Sequence, residues 1–335
     1  MKRIALVIAA TILCSSVPAI AQVLNPAMSA QAKKKKIYRG SMVTYENVFS
    51  AYSLSEGAQQ SYDPYYAMSL TFLPQIWLRD DMFVQARLGA EVELTLSEST
   101  DTKREPVLTD LSFTYMWTGA YTIPGAKIVI SPNARMRFPT SKVSQARSML
   151  FSIASGFSLT RSFKLHSGKF FNNLILNYGF RVEKPFNEYT TRQVDVACGN
   201  INRPECLHSG SRNINWRFSN AFTLRTNAHA KVILTLQVGL INDLLYEGGE
   251  MDKVLADGSV ISIPATTNNH NALVQAAFDV TVPVAKWLYL SGGLMSFHNQ
   301  LNPDSTRQFP LLNRDMMFYV DATLPIAPLV ELFGG

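Results

Sequence analysis

The sequence predicts an all-β chain closed into a single antiparallel, up-and-down transmembrane β-barrel of about twelve strands. Three observations predict it: long two-faced strands, an export leader, and connections that alternate in length. The first is clearest in FVQARLGAEVELTL, Phe83 to Leu96. Side chains of a strand point alternately to opposite faces, so Val84, Ala86, Leu88, Ala90, Val92, Leu94 and Leu96 share one face. Gln85, Arg87, Gly89, Glu91, Glu93 and Thr95 share the other. One face is aliphatic and the other carries charge, over a run well beyond the ~5–6 residues usual in soluble sheets. A membrane-spanning strand needs ~9–11 residues, apolar toward lipid and polar toward the lumen.

The N-terminus reads as a secretory leader over residues 1–21. Lys2 and Arg3 give a positive start, Ile4 to Leu13 are apolar apart from Thr11, and Ala19-Ile20-Ala21 is a small-residue cleavage site. Cleavage there starts the mature chain at Gln22. The apolar run is too short for a membrane anchor. A lipoprotein at Cys14 is the other alternative, against which stands Leu13 where that processing needs a small residue. No later segment holds ~18 consecutive apolar residues, so no transmembrane helix follows. Charged residues are 17% and aromatics 11%, where soluble domains carry ~25% charge. A charge deficit without an apolar helix is what a lipid-facing barrel shows. The formal charge of +6 falls to +4 once Lys2 and Arg3 leave. That balance implies no nucleic-acid partner.

Residues 22–40, with Lys33 to Lys36, lack alternation and read as a flexible basic tail. The barrel is expected over 41–326. Twelve alternating segments lie near 41–54, 65–78, 82–96, 107–118, 127–138, 148–161, 170–182, 213–226, 229–241, 270–283, 286–298 and 314–324. Alternation is loosest in the first and eleventh. In the eleventh, Trp287, Tyr289, Met295 and Phe297 compete with Leu288, Leu290 and Leu294 for the outer face. The even-numbered connections are short and the odd-numbered ones long: 55–64, 97–106, 139–147, 183–212, 242–269 and 299–313. Outer-membrane barrels pair short periplasmic turns with long extracellular loops and have an even strand count. With both termini periplasmic, the long connections fall outside. Tyr65, Tyr66, Trp77, Phe83, Tyr115, Trp117, Trp216, Trp287 and Tyr289 gather toward strand ends, as aromatic girdles do.

On these features the chain resembles the Gram-negative outer-membrane β-barrel proteins, porin-like in the broad sense, over about residues 41–326. The resemblance implies a bacterial outer-membrane location, lipid around the barrel, the barrel-assembly machinery as a partner and small hydrophilic solutes as cargo. Such proteins usually close with a C-terminal aromatic. Here MMFYVDATL is followed by PIAPLVELFGG. Pro325 and Pro328 cannot donate ladder hydrogen bonds, so the last strand should end near Leu324. Residues 327–335 then form a C-terminal tail in which Phe333 stands in for the closing aromatic.

If the aliphatic faces meet lipid, the opposite faces line the lumen. The basic lining is expected from Arg135, Arg137, Arg181, Arg217, Arg225 and Lys231 on strands five to nine. The acidic lining is expected from Glu91, Glu93, Asp110, Asp279 and Asp321, with Glu46, on strands ten, twelve, one, three and four; Arg87 is the exception there. Opposed charged walls orient and filter hydrated solutes. The alternative is a structural or surface-interaction barrel, packed with paired Arg and Glu, displaying its loops. Small inward residues on strand six, Ser148, Ser152, Ala154, Gly156, Ser158 and Thr160, favour free space.

Cys198 and Cys206 remain after the leader and read as a disulfide in an exported chain. Metal ligation is the alternative, but His208 is the only nearby helper and the spacing matches no zinc pattern. Twelve-stranded barrels include a phospholipase that pairs His with Ser. The nearest stretch, His208-Ser209-Gly210-Ser211, departs in spacing and lacks a third group to orient the imidazole. His270 and His298 at strand ends are weighed as metal ligands and read as solvated. No catalytic residue, metal or cofactor is expected.

Overall fold

A computed structural model describes residues 36–50, 65–95, 104–165, 171–191, 212–228, 232–247, 251–254, 260–263, 269–301, 306–307, 309–313 and 315–333. Its strands are β1 (Met42–Ser50), β2 (Tyr66–Leu73), β3 (Gln75–Trp77), β4 (Met82–Glu93), β5 (Pro106–Leu108), β6 (Leu111–Trp117), β7 (Tyr121–Ile123), β8 (Ile128–Phe138) and β9 (Met149–Lys164). They continue as β10 (Phe171–Asn187), β11 (Ile214–Ala228), β12 (Val232–Leu245), β13 (Met251–Val254), β14 (Val260–Ile263), β15 (His270–Ala285), β16 (Leu288–Asn299) and β17 (Met316–Pro325). Two helices are present among the described residues, α1 (Lys142–Ala146) and α2 (Ile326–Phe333).

Each strand pairs antiparallel with its neighbours, and the sheet closes on itself into a twelve-stranded barrel. Pro74 interrupts the second stave into β2 and β3, and the third neighbour β4 pairs with both. β5, β6 and β7 follow one another as a single stave between β4 and β8. β13 and β14 form a separate hairpin. Closure is made by β1 against β17, from Met42 opposite Pro325 to Ser50 opposite Met317. Closure leaves the large sheet without an edge strand, which a sheet in hydrocarbon requires.

The pleat then sorts the side chains. Leu70, Phe72, Leu88, Phe113, Ile153, Phe222, Leu236, Leu240, Leu290 and Val320 stand exposed on the outer face. A belt of this size and apolarity is a surface for acyl chains rather than water. Their alternate neighbours turn inward and are buried, among them Ala67, Thr71, Ser112, Ser152, Ala154, Gln237, Asp243 and Asp321. The aromatics divide between the faces. Tyr115, Trp117 and Trp216 are exposed outside, whereas Phe83 and Tyr289 are buried. Trp77 packs on Phe83 with ring centroids 4.9 Å apart. The expected girdle is therefore a partial one.

Two glycines permit tight curvature. A Cβ on Gly156 would lie 2.2 Å from the carbonyl oxygen of Phe180, and one on Gly293 would lie 2.1 Å from that of Phe278. Glycine kinks of this kind let a sheet bend into a barrel.

At the mouth nearest the termini, residues 37–40 form a turn held against the barrel. Arg39 stacks over Trp77 at 3.8 Å, and Trp77 Nε1 donates to the Arg39 carbonyl at 2.7 Å. Lys36 pairs with Glu331 at 2.9 Å. β17 ends at Pro325 and the chain continues as α2, so Phe333 closes a helix rather than a strand.

Candidate functional site

The expected lining residues sit on inward positions of the ladders, and their contacts trace a belt around the interior at the distal half. Arg137 on β8 holds three partners. Its Nη2 donates to Glu183 Oε1 at 2.5 Å, its Nη1 to Asp110 Oδ2 at 3.4 Å, and its Nε to Ser152 Oγ at 3.2 Å. Ser152 in turn donates to Glu183 at 2.9 Å. Asp110 lies between β5 and β6 and is further held by α1. Ser141 N donates to Oδ1 at 3.0 Å and Ser144 Oγ to Oδ2 at 2.5 Å. The helix exists locally because the Ser141 side chain caps it, accepting from Ser144 N. Val143 and Ser144 are buried, so the 139–147 connection leans onto the belt.

Beside Glu183 in the ladder stands Arg217, and beside Arg217 stands Asp243. Arg217 donates from Nε to Asp243 Oδ1 at 2.6 Å and from Nη2 to Oδ2 at 2.9 Å. This is the two-pronged geometry that makes guanidinium–carboxylate pairs strong and oriented. All these side chains are largely buried; that of Asp243 is 3% exposed.

Past Asp243 the belt changes character. Ile241, two residues away on the same face of β12, packs with Leu273 and Phe297. Met295, Met317, Tyr319 and Val48 continue the apolar arc, with Tyr65 and Ala277 against them. Tyr65 returns the belt to polar residues, its hydroxyl donating to Glu91 Oε1 at 2.6 Å. Arg87 lies within electrostatic reach of Glu46, Glu91 and Asp110, which completes the circuit.

The other expected residues fall just off this belt. Arg135 donates from Nη2 to Ser112 Oγ at 3.3 Å, while its Nε finds no acceptor among the described residues. Arg181 Nε, Arg225 Nε and Nη2, and Arg87 Nε and Nη2 are likewise buried without an acceptor among the described residues. Arg225 faces Asp279, which accepts from Thr281 Oγ1 at 2.9 Å. Asp321 sits opposite Glu46 in the β1–β17 ladder, two carboxylates side by side. Glu93 accepts from Thr95 Oγ1 at 3.0 Å. Lys231, Cys198, Cys206 and the His208–Ser211 stretch lie outside the described residues. His270 pairs opposite Leu244 and His298 opposite Val274, so the two are not brought together.

Two expectations change. Glu183 and Asp243, assigned from sequence to loops, lie within β10 and β12 and neutralise Arg137 and Arg217. The basic wall is thus salt-paired at the belt. The parity signal was available, since Glu183 is two residues from Arg181 and Asp243 continues the inward register of Gln237, Gly239 and Ile241. The small residues of strand six do not simply leave space. Arg137 crosses Ser152 to reach Glu183, so part of that stripe is covered by an arginine side chain. Asn213, just before β11, is fully buried and clamps the distal connections through the carbonyls of Arg147 and Tyr189, each at 2.8 Å.

Neither a family model nor a curated protein sequence matches the chain. Among solved structures, an outer membrane channel from Pseudomonas putida F1 aligns with a TM-score of 0.50 and 9% identity, over 88% of this chain and 99% of that one. LpxR from Salmonella typhimurium aligns with a TM-score of 0.37 and 8% identity, over 85% and 99%. OprD from Pseudomonas aeruginosa aligns with a TM-score of 0.28 and 8% identity, over 89% and 98%. Likeness at such identity is likeness of fold. The chain has the fold of the outer-membrane β-barrel proteins.

Proposed function

We propose that the protein is a narrow channel of the bacterial outer membrane, passing small hydrophilic solutes down their gradients between charged walls. The observation that carries this reading is the set of inward arginines, Arg87, Arg135, Arg181 and Arg225, with buried N–H groups that no acceptor among the described residues satisfies. A barrel interior built only to be packed would satisfy such donors, because each unpaired buried charge donor is costly. Donors left over are donors for water and solute. Arg135 and Arg181 stand on the strands opposite those bearing Glu46, Asp279 and Asp321, so the field runs across the lumen. No residue is assigned a catalytic role. Swelling of proteoliposomes in small sugars and amino acids tests the reading. Swelling faster than protein-free vesicles is expected, and equal rates would reject it.

A second reading is a filled barrel that serves by displaying its distal loops. The observation favouring it is the Asp110–Arg137–Glu183 and Arg217–Asp243 network, packed under α1. It calls for no swelling in any solute.

A further inference from the structure

We propose that the inner belt binds a small organic anion with an apolar body, of which an aromatic carboxylate is the simplest example. The proposal rests on the channel reading and names the class of solute it favours. Arg137 and Arg217 are spent on carboxylates of the protein itself. Arg135 and Arg181 lie within electrostatic reach of Glu183 but make no hydrogen bond to a carboxylate among the described residues. Each lies two residues from a member of the salt-paired network on the same strand face, Arg135 from Arg137 and Arg181 from Glu183. Each keeps a buried Nε without an acceptor among the described residues. They are near enough to repel one another. Between them on β9 stand only Ala154, opposite Arg135, and Gly156, opposite Arg181. Neither has a side chain able to reach a guanidinium. Two like charges with unspent donors, facing across small residues, attract one shared anion, and a carboxylate matches the guanidinium fork.

The belt next to this pair supplies the rest of the recognition. From Ile241 through Leu273, Phe297, Met295 and Met317 to Val48, its inner face is apolar. A membrane barrel gains nothing in its outer-face contact with lipid from apolar residues turned inward. They contribute when they meet one another or an apolar solute. Methionine sulfurs and aromatic edges suit a ring in particular. A bare inorganic anion uses only the arginines. A neutral apolar solute uses only the apolar arc and leaves the arginine donors unpaired, which a site built to bond them penalises. Only a solute with both parts uses both arcs.

The test is calorimetric titration of sodium benzoate into the barrel held in lipid nanodiscs, with sodium acetate and benzyl alcohol as comparisons and empty nanodiscs as background. Saturable benzoate binding is expected, tighter than either comparison by about tenfold, the value of one charge-assisted hydrogen bond or a partly buried ring. The double variant R135Q/R181Q should weaken benzoate by at least about tenfold and leave benzyl alcohol unchanged. Arg181→Lys keeps the charge, loses the fork and should weaken benzoate less; it serves if the double variant fails to fold. M295S/M317S should weaken benzoate and leave acetate unchanged. Acetate binding as tightly as benzoate, benzyl alcohol binding as tightly as benzoate, or no benzoate binding by folded protein would each overturn the proposal. Titration reads binding and not passage, so the two readings fail separately. A silent barrel that binds benzoate ends the channel and keeps the site. A swelling-active barrel that ignores benzoate ends the site and keeps the channel.

Discussion

The two arcs of the inner belt obey the same pleat and solve the interior in opposite ways. From the β5–β6 junction to β12, inward positions carry Asp110, Arg137, Ser152 and Glu183, bonded to one another, then Arg217 beside Glu183 in the ladder and bonded to Asp243. From β12 round to β1, the inward positions are Ile241, Leu273, Phe297, Met295, Met317 and Val48, which meet only by packing. The outside of both arcs is the same apolar face toward lipid. The comparison teaches that one pleat can turn either charge or apolar bulk into a barrel, and that alternation is clean only where the inside is polar.

The charged arc should be the more sensitive to single changes. Asp243→Ala strands Arg217 as a buried cation without its two-pronged partner, and Glu183→Ala takes from Arg137 the nearer of its two carboxylates, leaving Asp110 at 3.4 Å. Either should cost about 3–5 kcal/mol in urea unfolding of the lipid-refolded barrel. The D243N/R217M pair, which removes both charges, should recover most of that loss. A loss no smaller in the pair than in Asp243→Ala would remove the salt-paired account of this arc.

In the apolar arc, Phe297→Ala should cost about 3 kcal/mol by the same measurement, from lost burial and the cavity left behind. Phe297→Leu should cost about 1 kcal/mol. If Phe297→Ala is neutral, the residue faces open lumen rather than packed neighbours, which sharpens the arc into a wetted wall. On the outer face, Leu236→Arg should cost about 2–4 kcal/mol if it lies near the bilayer midplane. Gly156→Ala, which must push the Phe180 carbonyl aside, should cost about 1–3 kcal/mol. The smallest effect belongs to the mouth, where Arg39→Ala loses the stack on Trp77 and should cost about 1 kcal/mol.

The contrast between the arcs also explains what the sequence disclosed. Where the interior is charged, strands such as β4 and β8 alternate cleanly, and Arg135, Arg137 and Glu91 announce their face. The barrel and its strand order follow from those strands. Where the interior is apolar, both faces are apolar and the pattern blurs. The first and eleventh segments alternate most loosely, and they carry Val48, Met295 and Phe297 of the apolar arc. The eleventh segment's competition resolves with Tyr289, Met295 and Phe297 inward and Leu290 outward. Glu183 and Asp243 were missed because polar residues after a strand look like a loop. A ladder extends as long as its neighbours pair, and β10 and β12 are prolonged by one another's partner β11. The cap of Asp110 by Ser141 and Ser144 arises from the fold of a connection, which no strand pattern encodes.

The central claim is that unspent arginines face a conducting lumen. The most direct test is single-channel recording in a planar lipid bilayer under a salt gradient, comparing the wild type with R135Q/R181Q. The account predicts discrete steps in both, with the reversal potential of the variant displaced toward cation selectivity. A wild type that inserts, folds and stays silent, or a reversal potential indifferent to both arginines, would contradict it.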